Sequence, residues 1–216
     1  SNLSYASIEV NGTSYPSKEL QNGVAEWNVP LTGDSLYILA TARDGETEIT
    51  LEKVYQLSSA LNINLGANFY FHDPQANDLW RPDQRFEKGK TFGHSGGDIY
   101  RPRQVGIGVS RGIDNTDLDP VYQTQNQGLE SYTLELKPGE YDLRLLWCRL
   151  DPKLESRFEV FINGKKLDEI DTSEMQEFSG MERNYPGIRT GKELEIQLKA
   201  IKGKTFLNGI QIVSSK

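Results

Sequence analysis

Apolar residues in this chain recur at every second position, and that period dictates strands. In "ELEIQLKAI", Leu194, Ile196, Leu198 and Ala200 fall on one side, while Glu193, Glu195, Gln197 and Lys199 fall on the other. A segment of this kind is a strand with one face in a core and one in water. "SYTLEL" repeats the pattern through Tyr132, Leu134 and Leu136. "EYDLRLLWCRL" is apolar on both sides towards its end: Tyr141, Leu143, Leu145 and Trp147 line one face, and Leu146, Cys148 and Leu150 load the other. This strand is expected to be central and covered on both faces. No segment has the 3.6-residue period of a long amphipathic helix. Turn signals separate the strands: Asn163-Gly164, Asn11-Gly12 and Pro138-Gly139. Asn-Gly is a strong hairpin signal because both residues tolerate positive φ. The chain is therefore all-β, and the number of short strands points to a sandwich.

With 216 residues, one or two domains are expected. A seam falls at residues 57–61, "LSSAL", and the expected division is 1–57 and 58–216. Before the seam stand four strand candidates, "ASIEV", "GVAEWNV", "SLYILATA" and "TEITLEKVYQL". Four strands are too few for a seven-stranded sandwich, so the first module is expected to be partial. After the seam, residues 72–104 are rich in Gly, Pro, Asp and Arg and show little periodicity, as in a long functional loop. The chain opens on Ser1-Asn2 without an initiator Met, a basic segment or an apolar run. It reads as a piece excised from a longer protein, whose targeting signal would lie elsewhere.

A formal net charge of -7 disfavours nucleic acid as a partner, since that needs a basic face, and disfavours an anionic membrane surface. No run approaches the roughly 18 apolar residues of a membrane span. One cysteine, Cys148, allows no internal disulfide and is expected to be a buried small hydrophobe.

Gly93-His94-Ser95-Gly96-Gly97 fits G-x-S-x-G, the pattern of a serine-hydrolase nucleophile elbow. An elbow needs a strand before the serine and a helix after it. "GDIYRPRQVGIG" carries Pro102 and several glycines and cannot be helical. His72 and His94 both precede Ser95, against the hydrolase order of Ser, acid, His. No catalytic residue is assigned. Asn115, Asp117 and Asp119 alternate as at the start of a calcium loop, but Pro120 and Asn126 stand where the loop needs Gly and Glu. A solvated turn is expected there, and no metal or other cofactor. Asp73, Asp78, Asp83 and Glu87 could be paired as glycosidase carboxylates only by assuming distances that sequence does not supply.

Aromatic residues cluster between positions 69 and 100, among them Trp80, interleaved with Asp78, Arg81 and Gln84. Sugars bind aromatic faces through their C–H groups, while carboxylates, guanidinium groups and amides take the hydroxyls. Trp80, Asp78, Arg81 and Gln84 are thus candidate carbohydrate contacts. The competing reading is that loop aromatics cap the core.

Residues 62–214 resemble the malectin-type domain, a β-sandwich also described as a carbohydrate-binding module. The resemblance is carried in order by "INLGANFYFHD", "LWRPDQRF", "VYQTQNQGLESYTLEL", "GEYDLRLLWCRLD", "RFEVFINGKKLDEIDT" and "FLNGIQIVS". It implies a jelly-roll sandwich and non-catalytic sugar binding. Of the family's ligand positions, Tyr122 matches the tyrosine of the Y-Q-T segment. The family's aromatic pair falls in "CRLDP", which has no aromatic, and its late aspartate falls in "KGKTF", which has no acid.

Residues 6–56 resemble the tail of an immunoglobulin-like domain near the C-terminus of bacterial family 2 glycoside hydrolases of the β-galactosidase type. "ASIEVNGTSY", "AEWNVP" and "GDSLYILATARDGE" carry that likeness. Together the two resemblances imply a C-terminal accessory region whose catalytic barrel lies upstream. The implied partners are an oligo- or polysaccharide containing galactose, and the parent's own catalytic domain. The implied compartment is the periplasm or the exterior. A purely structural role, packing on the barrel or mediating oligomerisation, is the alternative.

Overall fold

The structure is a computed structural model that describes residues 3–29, 35–56, 60–102 and 106–215. Positions 57–59 of the expected seam, and Pro30 of "AEWNVP", lie outside the described residues. The chain forms two compact units: residues 1–59 with 74–78, and residues 60–73 with 79–216.

The first unit is one antiparallel sheet in the order β2 (Thr13–Ser14), β1 (Tyr5–Val10), β4 (Ser35–Asp44), β5 (Thr47–Gln56), with β3 (Lys18–Glu19) also on β1. The Asn11-Gly12 turn joins β1 to β2 with φ of 48° and 78°, as the dipeptide predicts. Register aligns Ile8, Ala40 and Leu51, and beside them Ala6, Ala42 and Ile49. One face is therefore an apolar stripe that ends in exposed Ile49 and Leu51. The expected strand "GVAEWNV" does not form. Asn22 and Gly23 both take positive φ, Gln21 and Val24 close a tight bridge, and the chain runs on irregularly. Its Trp27 is tied by the indole Nε1, which donates to the Pro16 carbonyl at 2.9 Å. A side-chain anchor has replaced a ladder.

The second unit is a sandwich of two sheets. One has the order β13 (Lys165–Asp171), β12 (Arg157–Ile162), β15 (Glu193–Lys202), β10 (Asn126–Glu135), β16 (Phe206–Leu207), with β9 (Phe92–Ile99) also on β10. The other has the order β14 (Met181–Thr190), β11 (Gly139–Trp147), β17 (Gly209–Ser214), β6 (Ala60–Asn64), β8 (Asp78–Pro82), β7 (Phe71–Asp73). One α-helical turn, α1, spans Asp119–Tyr122, and a 3-10 turn spans Thr172–Glu174.

Period two builds the core directly. Leu194, Ile196 and Leu198 of β15 and Tyr132 and Leu134 of β10 face Leu143, Leu145 and Trp147 of β11. Trp147 and Leu145 are fully buried, and the Trp147 indole Nε1 donates to the Phe206 carbonyl at 2.9 Å. Phe206 in turn meets Phe158 edge to face, with centroids 5.4 Å apart. Ala200, small and near the end of its strand, is exposed rather than buried. The Asn163-Gly164 hairpin joins β12 to β13 with φ of 49° and 76°.

β11 is an inner strand, and its second face is also covered. Leu146, Cys148 and Leu150 join Trp80, Val121 and Tyr122 in a separate apolar cluster.

The stretch at 72–104 departs from expectation, because β7, β8 and β9 run through it. β9 is invisible to periodicity because Gly93, Gly96 and Gly97 contribute no side chains. Gly93 is there for close approach: a Cβ would stand 2.5 Å from the Phe86 nitrogen. Around it the Phe86 N–H donates to the His94 carbonyl, and the His94 N–H to the Gln84 carbonyl.

Candidate ligand-binding groove

Between β9 and β10 the described residues include the helical turn α1, whose Val121 and Tyr122 belong to the second apolar cluster. A buried amide set holds them down. Asn208 Nδ2 donates to the carbonyls of Tyr122 at 2.9 Å and Thr124 at 2.6 Å. Its Oδ1 accepts from the Cys148 backbone N–H at 2.8 Å and from Gln125 Nε2 at 3.2 Å. Asn64 Nδ2 donates to the Pro120 carbonyl at 3.2 Å. Asp119, which begins α1, caps the turn before it by accepting the Ile113 N–H at 3.0 Å. Asn115 takes φ of 60° and donates to Ser179 Oγ at 2.8 Å. Asn115 and Asp119 of the alternating set thus do turn chemistry. Among the described residues no group of three or more His, Cys, Asp and Glu could hold a metal ion.

Over this cap lies an open groove of about 680 Å³, lined by Pro102, Ile107, Val109, Ser110, Arg111 and Phe178 with two glycines. That volume is in the range of small-ligand sites, about 300–1,000 Å³. Arg111 lays its guanidinium over the Phe178 ring, Cζ being 4.0 Å from the centroid. Phe178 itself has φ of 53°, a left-handed conformation that is a true outlier for a bulky side chain. Neighbouring backbone bonds impose it. The Phe178 N–H donates to the Arg149 carbonyl at 3.2 Å, and the Phe178 carbonyl accepts from the Asp114 N–H at 2.8 Å. Residues kept in such conformations cluster at ligand clamps.

The candidate sugar contacts lie elsewhere. Trp80 is 1% exposed and Tyr122 is 2% exposed, so neither ring offers a face for stacking. The structure does bring them together, but in the apolar cluster with Val121 and Leu146. Burial raises the Tyr122 phenol well above the ordinary tyrosine range. A Cβ at Gly180 would stand only 3.2 Å from Tyr122 Cζ, which shows how closely that ring is covered. Gln84 spends its amide on the backbone, donating to the Phe92 carbonyl at 2.9 Å. Asp78 and Arg81 are half-buried on β8, at positions of opposite parity and hence on opposite faces of the strand. Sequence reading passed over Arg111 and Phe178. The one available signal was "QVGIGVSRGI", where apolar residues alternate with glycines in a loop.

Ser95 sits inside β9, so strand and not helix follows it. It is exposed, while the adjacent His94 is buried with Nδ1 2.9 Å from Asp83 Oδ1. Successive strand residues face opposite sides, so the Asp83–His94 pair is turned away from the serine.

A family model described as the malectin domain matches residues 59–214, and the chain belongs to that family. Among solved structures it is similar to Bacteroides uniformis β-glucuronidase, at 22% identity and a TM-score of 0.75. That match covers 100% of this chain and 26% of the glucuronidase, so the chain spans about a quarter of that protein. It is also similar to the ANXUR2 extracellular domain from Arabidopsis thaliana, at 15% identity and a TM-score of 0.53, covering 82% of this chain and 49% of that one. The plant receptor-like kinase FER matches at 13% identity and a TM-score of 0.53, covering 97% of this chain and 71% of that one. At these identities the likeness concerns the fold. No curated protein matches the chain.

Proposed function

We propose that this chain is a non-catalytic carbohydrate-binding region that serves a glycoside hydrolase. The observation that carries the reading is a ring–guanidinium pair, Phe178 and Arg111, in an open groove on a malectin-family sandwich. Half-buried apolar walls suit sugar C–H faces, and the guanidinium offers donors to hydroxyl or carboxyl oxygens. The likeness to β-glucuronidase supports a hydrolase as the parent, and β-galactosidase-type enzymes of the same family 2 are the parent class that the sequence motifs suggest. The first unit is read as part of an immunoglobulin-like module that links the sandwich to the catalytic barrel. The region would work in the periplasm or outside the cell, on oligo- or polysaccharides that include galactose-containing ones.

Contact with one ring and a few hydrogen bonds supports an affinity near millimolar, where about 1 mM corresponds to about -4.1 kcal/mol. Titrating a glycan panel into the chain and following its amide NMR signals tests the reading. Saturable shifts at Ile107, Val109, Arg111 and Phe178 are expected. A structural role without sugar binding is the second reading, and the burial of Trp80 and Tyr122 favours it. It requires that no glycan produces saturable shifts.

A further inference from the structure

We infer that the groove selects an acidic sugar, a hexuronic acid whose carboxylate is taken by Arg111; this rests on the carbohydrate reading above. The first ground is how the guanidinium is held. Its Cζ lies over the Phe178 ring, 4.0 Å from the centroid, so the ring face holds the guanidinium without using its N–H groups in a hydrogen bond. A guanidinium held by a ring face keeps its N–H fork for a planar, bidentate partner, which a carboxylate is and a hydroxyl is not.

The second ground is the missing counter-charge. The chain has 31 acidic against 24 basic residues, and several of its arginines are paired with acids. Arg144 pairs with Glu182, Arg157 with Glu169, Arg183 with Asp168 and Arg189 with Glu140. Among the described residues Arg111 has no ion pair, although it stands in a strongly acidic molecule. Of its groove neighbours Pro102, Ile107, Val109 and Phe178 are apolar, Ser110 brings a neutral hydroxyl, and none of the described lining residues is acidic. Such walls raise the strength of any charge-assisted bond made there.

The third ground is preorganisation. The Arg111 carbonyl accepts from Gln123 Nε2 at 2.8 Å, which fixes the root of the side chain. On the opposite wall, the backbone bonds that impose the left-handed Phe178 fix the plate. A clamp fixed at both ends loses little freedom when a ligand arrives. A hexuronic acid fits both parts, with its ring C–H face on the apolar wall and its carboxylate in the fork.

The test uses matched pairs: methyl glucuronide against methyl glucoside, and methyl galacturonide against methyl galactoside, titrated into the whole chain by NMR. The acid of a pair is expected to bind at least about tenfold tighter than its neutral twin, with shifts centred on Arg111 and Phe178. Arg111→Gln should abolish that preference, so that the acid binds no more tightly than its neutral twin. Arg111→Lys, which keeps the charge and loses the fork, should restore only part of it. Both variants are exposed substitutions, and their dispersed amide spectra report the fold directly. Equal binding of acid and neutral twin at the groove, or an acid preference that survives Arg111→Gln, overturns the inference and leaves the carbohydrate reading standing. Sodium acetate that shifts the same amides to the same extent at the same concentration also overturns it, since the site would then be a simple anion site. If no sugar of either kind shifts the groove, the carbohydrate reading itself falls.

Discussion

Asn208 donates its side-chain amide to the carbonyl oxygen of Tyr122, across 2.9 Å of fully buried space. The same side chain serves the Thr124 carbonyl, Gln125 Nε2 and the Cys148 N–H. One residue between β16 and β17 therefore carries the backbone of the cap that underlies the groove. Replacing it by Ala would leave two buried carbonyls and one N–H without partners. Each such group costs about 1–3 kcal/mol. Asn208→Ala should destabilise the sandwich by about 3 kcal/mol or more in a denaturant melt. A loss under about 1 kcal/mol would show that water reaches these groups and that the cap is not held in this way.

Gly209 follows directly, and the packing above it leaves no room for a side chain. A Cβ there would stand 2.8 Å from Leu146 Cδ1, 2.9 Å from Val121 Cγ1 and 3.2 Å from Trp80. These groups come from three different segments and are buried, so none can move freely. Gly209→Ala should cost about 1–3 kcal/mol, the usual range for overpacking. Fluorescence of Trp80 should shift to the red, because the intruding methyl pushes the cap outward. A neutral substitution would show that the second apolar cluster is loosely packed.

What the sequence made legible follows from which residues speak through their side chains. β11 and β15 were readable because Leu143, Leu145, Trp147, Leu194 and Ile196 alternate with polar residues. β9 was not, because Gly93, Gly96 and Gly97 erase the alternation. "GVAEWNV" shows the opposite failure: its alternation resembles a strand, but the bond from Trp27 to Pro16 holds it outside any ladder. At the site, Trp80 and Tyr122 were recognisable as unusual residues, yet composition cannot say whether a ring faces solvent or a neighbouring strand. Arg111 and Phe178 are distant in sequence. Isolated bridges between Asp114 and Ser179 and between Arg149 and Glu177 bring them together, and these have no period to detect.

Phe178 offers a test in which the usual order of substitutions inverts. At an ordinary site Ala is more stabilising than Gly, because Gly loses more backbone freedom on folding. At φ of 53° the left-handed penalty falls on every residue with a Cβ and amounts to about 1–2 kcal/mol. Phe178→Ala and Phe178→Gly both remove the ring and its contact with Arg111. The Gly variant should nonetheless be the more stable of the two, by about 1 kcal/mol in paired denaturant melts. An Ala variant as stable as the Gly variant would mean that the backbone relaxes out of the left-handed region once the ring is gone.

Cys148 gives the molecule an alkaline weakness whose sign can be worked out. Burial pushes its thiol up to about 12, against smaller downward pulls from the Ser179 backbone and the Arg111 charge. In the unfolded chain the thiol ionises at about 8.5. The native state therefore holds its proton more tightly, and its contribution to stability is complete below about pH 8.5. Above that pH only the unfolded state gains by ionising, and stability falls as pH rises towards about 12. One such group gives a slope of up to about 1.4 kcal/mol per pH unit. The phenols of Tyr122, Tyr132 and Tyr185 are also raised by burial, and they add to the slope only above about pH 10. Denaturant melts between about pH 8.5 and 10 thus isolate the thiol. Cys148→Ala should be less stable throughout this window, because it leaves a small cavity, but its stability should decline with a distinctly flatter slope. The native thiol should also resist a disulfide reagent at about pH 8 until denaturant is added. Parallel slopes for the two proteins, or rapid labelling of the native chain, would mean that Cys148 is open to solvent and that the second apolar cluster does not close over it.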